Sequence, residues 1–80
     1  MASKNNLDPY EALANAIIIQ AAEDYRKTMR ILKRHPDSTM ARAEKNELEE
    51  FFQSEWFMTL SNTSGTQILR MLKAEFPEVE

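Results

Sequence analysis

The 80-residue chain carries 13 acidic and 10 basic side chains, which give it a formal net charge of −3. This length accommodates one small domain, and the single glycine and three prolines argue against both disorder and a turn-rich β fold. The chain has no cysteine, which excludes disulfide bonds, thiolate metal ligands and cysteine nucleophiles. No apolar run approaches the roughly 18 residues of a membrane span, and the N-terminus lacks the apolar segment of a secretory signal. We therefore expect a chain that neither spans a membrane nor begins with a secretory signal.

Three helices are predicted from apolar spacing and from residues that start or stop helices. Asp8 and Pro9 are typical of a helix start, and Pro36 ends that helix because the residue before a proline disfavours the helical backbone. Asp37 and Ser38 are alternative N-cap candidates for a second helix, and Ser64 is the N-cap candidate for a third. The predicted spans are 9–34, 39–60 and 65–76. Residues 1–8 are expected to form a flexible N-terminus and residues 77–80 a C-terminal tail.

The predicted fold is all-α. A short link at Pro36 between two long helices implies an antiparallel helical hairpin, and the short third helix is expected to pack at the open end, away from the turn. Residues 9–76 would form a single domain. The residues expected in its core are Leu13, Ile17, Ile18, Tyr25, Leu48, Phe51, Phe52 and Leu72. The inward side of the second helix would also carry Met40, Ala41, Met58 and Thr59.

Two carboxylates fall inside the apolar stripe of the second helix. Glu44 and Glu55 lie three turns apart there, and a buried carboxylate is costly unless it is paired or hydrogen-bonded. We expect structural ion pairs across the hairpin, with Arg30 opposite Glu44 and Arg26 opposite Glu47. The alternative is a functional carboxylate at Glu55 that contacts a metal or a partner.

Enzyme constellations are largely missing from the sequence. His35 is the only histidine, and it falls at the predicted turn, where a solvent-exposed role is expected. A single glycine cannot build a glycine-rich phosphate loop, and no carboxylate–histidine spacing suits a metal. We expect no enzymatic activity, no cofactor and no metal site.

The basic residues are concentrated around the predicted turn. Residues 26–45 contain seven basic and two acidic side chains, a net charge of +5. Basic side chains bind phosphates by releasing counterions, so this tip is a candidate nucleic-acid surface; the alternative is a solvated face with intrahelical pairs such as Lys45–Glu49. The candidate phosphate contacts are Lys27, Arg30, Lys33, Arg34, Arg42 and Lys45.

A candidate partner interface lies on the back of the first helix and near the end of the second. Its residues are Ala12, Ala16, Ile19, Trp56 and Phe57. Three interpretations remain open for the first three: a homodimer contact, contact with a foreign protein, or cover by the third helix or by Leu7 of the same chain. For the two aromatic residues, the alternative is core packing under the third helix.

Three segments carry a resemblance to a known group of proteins. They are AIIIQAA at 16–22, DYR at 24–26 and EFFQSEWFMTL at 50–60. Over roughly residues 10–75 the chain resembles small uncharacterised helical proteins carried by phages and integrative elements of Gram-positive bacteria. The resemblance implies a cytoplasmic bacterial or phage protein that binds a larger protein, and it transfers no catalytic residue.

The expected function is therefore that of a small helical interaction protein of a mobile element. It would dock on a host or phage protein as an accessory or inhibitor. The alternative is a nucleic-acid-binding accessory protein that uses the basic tip.

Overall fold

A computed structural model describes residues 9–79 and contains only helices and turns in that range. The helices are α1 (Pro9–Arg34), α2 (Thr39–Phe52), α3 (Glu55–Leu60) and α4 (Gly65–Ala74). The long helices α1 and α2 pack against each other, which confirms the all-α fold and its helical hairpin. The predicted flexible segment 1–8 lies outside the described residues.

The hairpin turn is closed by local hydrogen bonds on both sides of Pro36. The Ser38 side chain accepts a hydrogen bond from the Ala41 amide at 3.2 Å, as expected of an N-cap. The Ser38 amide donates to the His35 carbonyl at 3.0 Å, and the Arg42 guanidinium donates to the Pro36 carbonyl at 2.9 Å. These bonds hold the two helices close enough to pack as an antiparallel pair.

The predicted second helix, 39–60, is wrong in its length because the chain breaks after Phe52. The backbone of Ser54 is extended, and its hydroxyl accepts from the Phe57 amide at 3.1 Å while donating to the Phe51 carbonyl at 2.7 Å. Ser54 therefore binds the Phe51 carbonyl at the end of α2 through both its hydroxyl and its backbone amide, and it also caps a free amide at the start of α3. The result is a change of helix direction that reorients Trp56 and Phe57.

The last helix, α4, starts at the open half of the hairpin and runs back toward the turn. At its first residue, Gly65 lies so close to Phe52 that a β-carbon would overlap the Phe52 carbonyl. Beyond its end, Glu75 pairs with Arg26 at 2.9 Å and Glu78 pairs with Lys33 at 3.0 Å. These contacts place α4 along one side of the hairpin. The helix ends at Ala74, slightly before the predicted residue 76.

The core is built around aromatic residues where α1, α2, α3 and α4 meet. Its largest fully buried side chains are Tyr25, Met29, Leu32, Phe52 and Phe57. Among the predicted core residues, Tyr25, Phe52 and Leu72 are buried, whereas Ile17, Ile18, Leu48 and Phe51 are half-buried.

Four of the expected inward positions point to solvent, whereas Ala41 is buried as expected. Leu13 is 59% exposed, because no described element covers that side of α1. Met40, Met58 and Thr59 are also exposed. On α2, Ala41 and Lys45 take the inward positions, and Met40, one residue before Ala41, is turned away from α1 by the helical rotation.

The predictions for buried acidic residues are also wrong. Glu44 and Glu55 are both exposed, and Arg26 pairs with Glu75 rather than with Glu47. The carboxylate that reaches the interior is Glu49, whose position follows from the inward placement of Lys45 one turn earlier.

Candidate interaction face

The side of the hairpin opposite α4 carries an apolar cleft between α1 and the α2–α3 segment. We call it the open cleft. Its volume is about 450 Å³. The residues that line it are Ala16, Ile17, Gln20, Ala21, Asp24, Leu48, Phe51 and Trp56. Six of these eight side chains are apolar, so the cleft suits an apolar side chain of a partner better than a polar ligand.

One wall of the open cleft is formed by Trp56, the only tryptophan of the chain. Trp56 is 54% exposed, and its ring packs edge-to-face on Phe51 with 5.7 Å between the ring centroids. Phe51 in turn contacts Phe52 and Phe57 at 5.4 and 5.5 Å. The exposed indole is therefore held by the half-buried Phe51, which in turn packs on two buried rings, an arrangement that favours an interface anchor.

The structure brings together two of the five predicted interface residues. Ala16 and Trp56 line the same cleft from opposite walls. Ala12 and Ile19 are exposed on α1 but lie outside the cleft lining. Phe57 is fully buried, so its placement in the interface is wrong and the alternative, core packing, is correct for it. The break at Ser54 turns its ring toward Phe52.

No described residue covers the Ala12, Ala16 and Ile19 surface, because all three side chains are exposed over the described range 9–79. Helix α4 packs on another side of the hairpin, because the residues just beyond its end, Glu75 and Glu78, pair with Arg26 and Lys33. The alternative cover, Leu7, lies outside the described residues.

Acidic side chains border the open cleft on the side of the hairpin turn. Asp24 lines the cleft and accepts a hydrogen bond from the Gln20 amide at 3.0 Å. On α2, Glu44 and Glu47 lie one helical turn before Leu48 and Phe51, on the same side of the helix. The cleft is therefore apolar with a negative edge.

A second hollow of about 320 Å³ lies on α1 near the turn, and we call it the basic hollow. Its lining residues are Lys27, Arg30, Ile31, Arg34 and His35. The single histidine is exposed, as the sequence predicted.

The structure separates the six candidate phosphate contacts into two groups. Lys33 pairs with Glu78 and Arg42 donates to the Pro36 carbonyl. Lys45 is only 7% exposed and pairs with Glu49 at 2.9 Å, so it does not reach a phosphate. The remaining three, Lys27, Arg30 and Arg34, make no ion pair with another described residue and share the basic hollow.

Sequence reasoning anticipated the Lys45–Glu49 pair but missed that this pair belongs to a partly buried charge network. Glu49 accepts a hydrogen bond from the Tyr25 hydroxyl at 2.8 Å and pairs with Lys45 at 2.9 Å; the Lys73 ammonium lies 3.9 Å away. These groups belong to α1, α2 and α4. The signal in the sequence was the Lys45–Glu49 spacing, which is typical of an exposed helical pair.

The pKa of Glu49 reports the balance of forces in this network. Burial alone would raise this pKa, but the hydrogen bonds from Lys45 and Tyr25 and the charges of Lys45 and Lys73 outweigh it, so the pKa lies below its ordinary value. Burial and the bond to Glu49 raise the pKa of Tyr25. Tyr25 therefore remains a neutral hydrogen-bond donor. The network holds the three helices together and is not arranged as an acid–base pair.

Two further properties concern the part of the chain that the structure describes. Between residues 9 and 79, no three histidine or acidic side chains converge in a way that would hold a metal ion. None of the four helices combines the length and the apolar character needed to cross a bilayer.

Comparison with known proteins gives no relative for this chain. No protein family, no curated protein and no solved structure matches it. The resemblance to mobile-element proteins therefore stays a prediction, and the surface geometry provides the support for a functional proposal.

Proposed function

We propose that this protein is a small non-enzymatic interaction protein whose open cleft receives an α-helix of a larger protein. The observation that carries the proposal is the cleft itself, with Ala16 on one wall and the half-exposed Trp56 on the other. The proposed setting, from the resemblance, is the cytoplasm of a bacterium that carries a phage or integrative element. There the protein would act as an accessory or inhibitor of a host or phage protein.

The shape of the cleft supports a helical partner. Two roughly antiparallel helices leave a long groove between them, and an amphipathic helix laid in such a groove inserts apolar side chains spaced three or four residues apart. Leu48 and Phe51 form the floor on the α2 side, and Trp56 supplies the large anchor surface typical of interface hot spots.

Site-specific photo-crosslinking tests this proposal. A photoreactive amino acid is placed at position 56 in the cleft and, as a matched control, at Met71 on α4, which is also exposed. Both proteins are expressed in the cell that encodes the chain, and crosslinked products are identified by mass spectrometry. We expect one foreign protein, other than a second copy of this chain, to crosslink from position 56 and not from position 71.

Reconstitution with that purified protein completes the test. Binding measured by calorimetry should be lost with Ala16→Glu, which puts a charge in the cleft, and retained with Met71→Glu. Equal binding by both variants, or equal crosslinking from both positions, would rule out the cleft as the docking site.

A second candidate function is binding to nucleic acid through the basic hollow. It is favoured by one observation: Lys27, Arg30 and Arg34 form no ion pair with any described residue, although other basic side chains around the turn do. Duplex DNA should then shift the mobility of the protein at low salt, with a log–log salt slope of about three for three phosphate contacts. Replacing all three residues by serine should abolish the shift, and no shift for the unmodified protein at low salt would eliminate this candidate.

A further inference from the structure

Residues of α1 that line the open cleft and the basic hollow lie on one continuous strip of this helix. The strip follows alternating spacings of four and three residues, the heptad spacing of helices that pack in coiled coils. We call it the α1 seam, and all its residues are at least partly exposed. Its members are Leu13, Ile17, Gln20, Asp24, Lys27, Ile31 and Arg34.

The charges along the α1 seam are ordered. The half that borders the open cleft ends in the negative Asp24. The half that borders the basic hollow begins with Lys27, one turn later, and ends with Arg34. The first half of the strip is thus mainly apolar and ends in a negative residue at the middle, and the second half is basic.

This order makes the seam complementary to itself in one orientation only. If two copies lie antiparallel with the two-fold axis between positions 24 and 27, Asp24 of each copy faces Lys27 of the other. A parallel arrangement would instead place Asp24 on Asp24 and Lys27 on Lys27, and like charges in contact are unfavourable. Charge complementarity therefore selects the antiparallel pair.

The same register fills the open cleft. Ile31, which is 42% exposed, would lie opposite Gln20 of the second copy, where the cleft offers Leu48 and Phe51. Arg34 would lie opposite Ile17, next to Trp56, where a guanidinium on an indole face is attractive. Each copy would thus cover the cleft of the other with its basic half.

We propose that a second copy of this chain occupies the open cleft, in an antiparallel two-fold dimer centred between Asp24 and Lys27. A two-fold pair is the simplest closed assembly, and a domain of this size gains stability from added burial. The inference rests on the proposed function because it assigns a partner to the same cleft. A foreign helix and the second copy exclude each other, so the dimer is the resting form and the monomer binds the foreign protein.

Charge reversal tests the register. In sedimentation equilibrium we expect the unmodified protein to dimerise, and Asp24→Lys or Lys27→Asp to raise the dissociation constant by about tenfold or more, because each creates like-charge pairs at the two-fold axis. A mixture of the two variants should form a heterodimer, since the two lysines at the axis of one chain then face the two aspartates of the other. The double variant Asp24→Lys/Lys27→Asp should dimerise again, because opposite charges face each other once more.

Two controls separate assembly from folding. Arg70→Asp, a change of charge on the exposed surface of α4, should leave the dissociation constant unchanged. Far-ultraviolet circular dichroism should show the same helical signal for every variant.

Three results would overturn the inference: a monomeric unmodified protein at high micromolar concentration, single variants that dimerise normally, or a helical double variant that stays monomeric. The proposed function has a separate readout, the foreign protein crosslinked from position 56. A monomer that crosslinks a foreign protein would refute only the dimer, and a dimer that crosslinks no foreign protein at any concentration would refute only the proposed function.

Discussion

At the residue scale, Glu49 connects three helices through a single carboxylate. It binds Tyr25 of α1 and Lys45 of α2, and it attracts Lys73 of α4. Lys45 is buried, so it depends on Glu49 for a counter-charge. Removing one partner of a buried pair is strongly destabilising because the other charge stays buried without compensation.

We expect Glu49→Gln to lower the free energy of unfolding by about 2–3 kcal/mol at neutral pH, since the amide keeps the size of the side chain but removes its charge. Urea unfolding followed by circular dichroism measures the change. Glu47→Gln, on an exposed position of the same helix, is the matched control and should be nearly neutral. Equal effects of the two substitutions would contradict the structural role of Glu49.

The difference in unfolding free energy between the unmodified protein and Glu49→Gln should depend on pH in a defined direction. The folded-state pKa of Glu49 lies below the ordinary value of 4.5, so the carboxylate stabilises the fold above that pH and the contribution is lost as the pH falls through the folded pKa. The gap in unfolding free energy between the unmodified protein and Glu49→Gln should therefore close in acid. A gap that is unchanged well below pH 4.5 would show that charge is not its source.

The aromatic cluster gives a second residue-scale prediction, because burial differs sharply between neighbouring rings. Phe52 is 1% exposed and Trp56 is 54% exposed. Phe52→Ala should cost about 3–5 kcal/mol of unfolding free energy, whereas Trp56→Ala should cost about 1 kcal/mol, the value of one exposed edge-to-face contact. Chemical denaturation of both variants measures this ranking, and a reversed order would place Trp56 in the core.

Helical periodicity predicted part of this pattern and missed the rest for a physical reason. Tyr25, Phe52 and Leu72 fall on the inward stripe and are buried. Leu13 satisfies the same periodicity but is exposed, because burial requires a second element on that side and α4 packs elsewhere. Periodicity identifies the apolar side of a helix, and only the tertiary arrangement determines how much of that side is covered.

At the element scale, the joint between α2, α3 and α4 depends on two small residues, Ser54 and Gly65. Ser54 caps α3 and satisfies a carbonyl of α2. Its role was readable in principle, because a serine three residues before Phe57 and directly before Glu55 is an N-cap pattern. However, the apolar residues before position 53 and those after position 54 keep one common helical spacing. An unbroken helix therefore explained the pattern equally well.

Gly65 provides the element-scale prediction. Its backbone is helical without a positive φ, so Ala would be favoured there by intrinsic propensity, by about 0.5–1 kcal/mol. A β-carbon would, however, overlap the Phe52 carbonyl and approach the Phe57 ring. We expect Gly65→Ala to destabilise the fold by about 1–3 kcal/mol, as overpacking does.

Thermal unfolding shows directly whether Gly65→Ala stabilises or destabilises the fold. Thr66→Ala, at the next and exposed position of α4, should be close to neutral and controls for helix propensity. A stabilised Gly65→Ala protein would mean that α4 does not start against Phe52, and the packing of the whole joint would have to be revised.

At the scale of the whole molecule, α4 covers one side of the hairpin and leaves the other open. The sequence left open whether part of α1 would lack cover, and it offered Ala16 and Trp56 as candidates for an interface. It could not show that these two residues share a cleft, because that depends on the direction change at Ser54. It also could not tell which basic residues are paired, since Glu75 and Glu78 reach Arg26 and Lys33 only through the path of α4.

This uneven cover predicts uneven opening of α1, measurable by amide hydrogen exchange. The first two turns expose Tyr10 and Leu13 and bury only Ala14, whereas the second half buries Tyr25, Met29 and Leu32. Amides near the start of α1 should exchange through local fraying, and those around residues 25–32 only through global unfolding.

Raising the protein concentration should then change the exchange pattern selectively. If two copies pair along the α1 seam, amides between positions 13 and 24 gain protection as the dimer forms, because fraying of that segment would break the interface. The same amides in Asp24→Lys should show no such dependence on concentration. Uniform protection along α1 at low concentration would contradict the uneven packing, and an equal gain at the exposed amides of α4 would point to non-specific association instead of a defined contact surface.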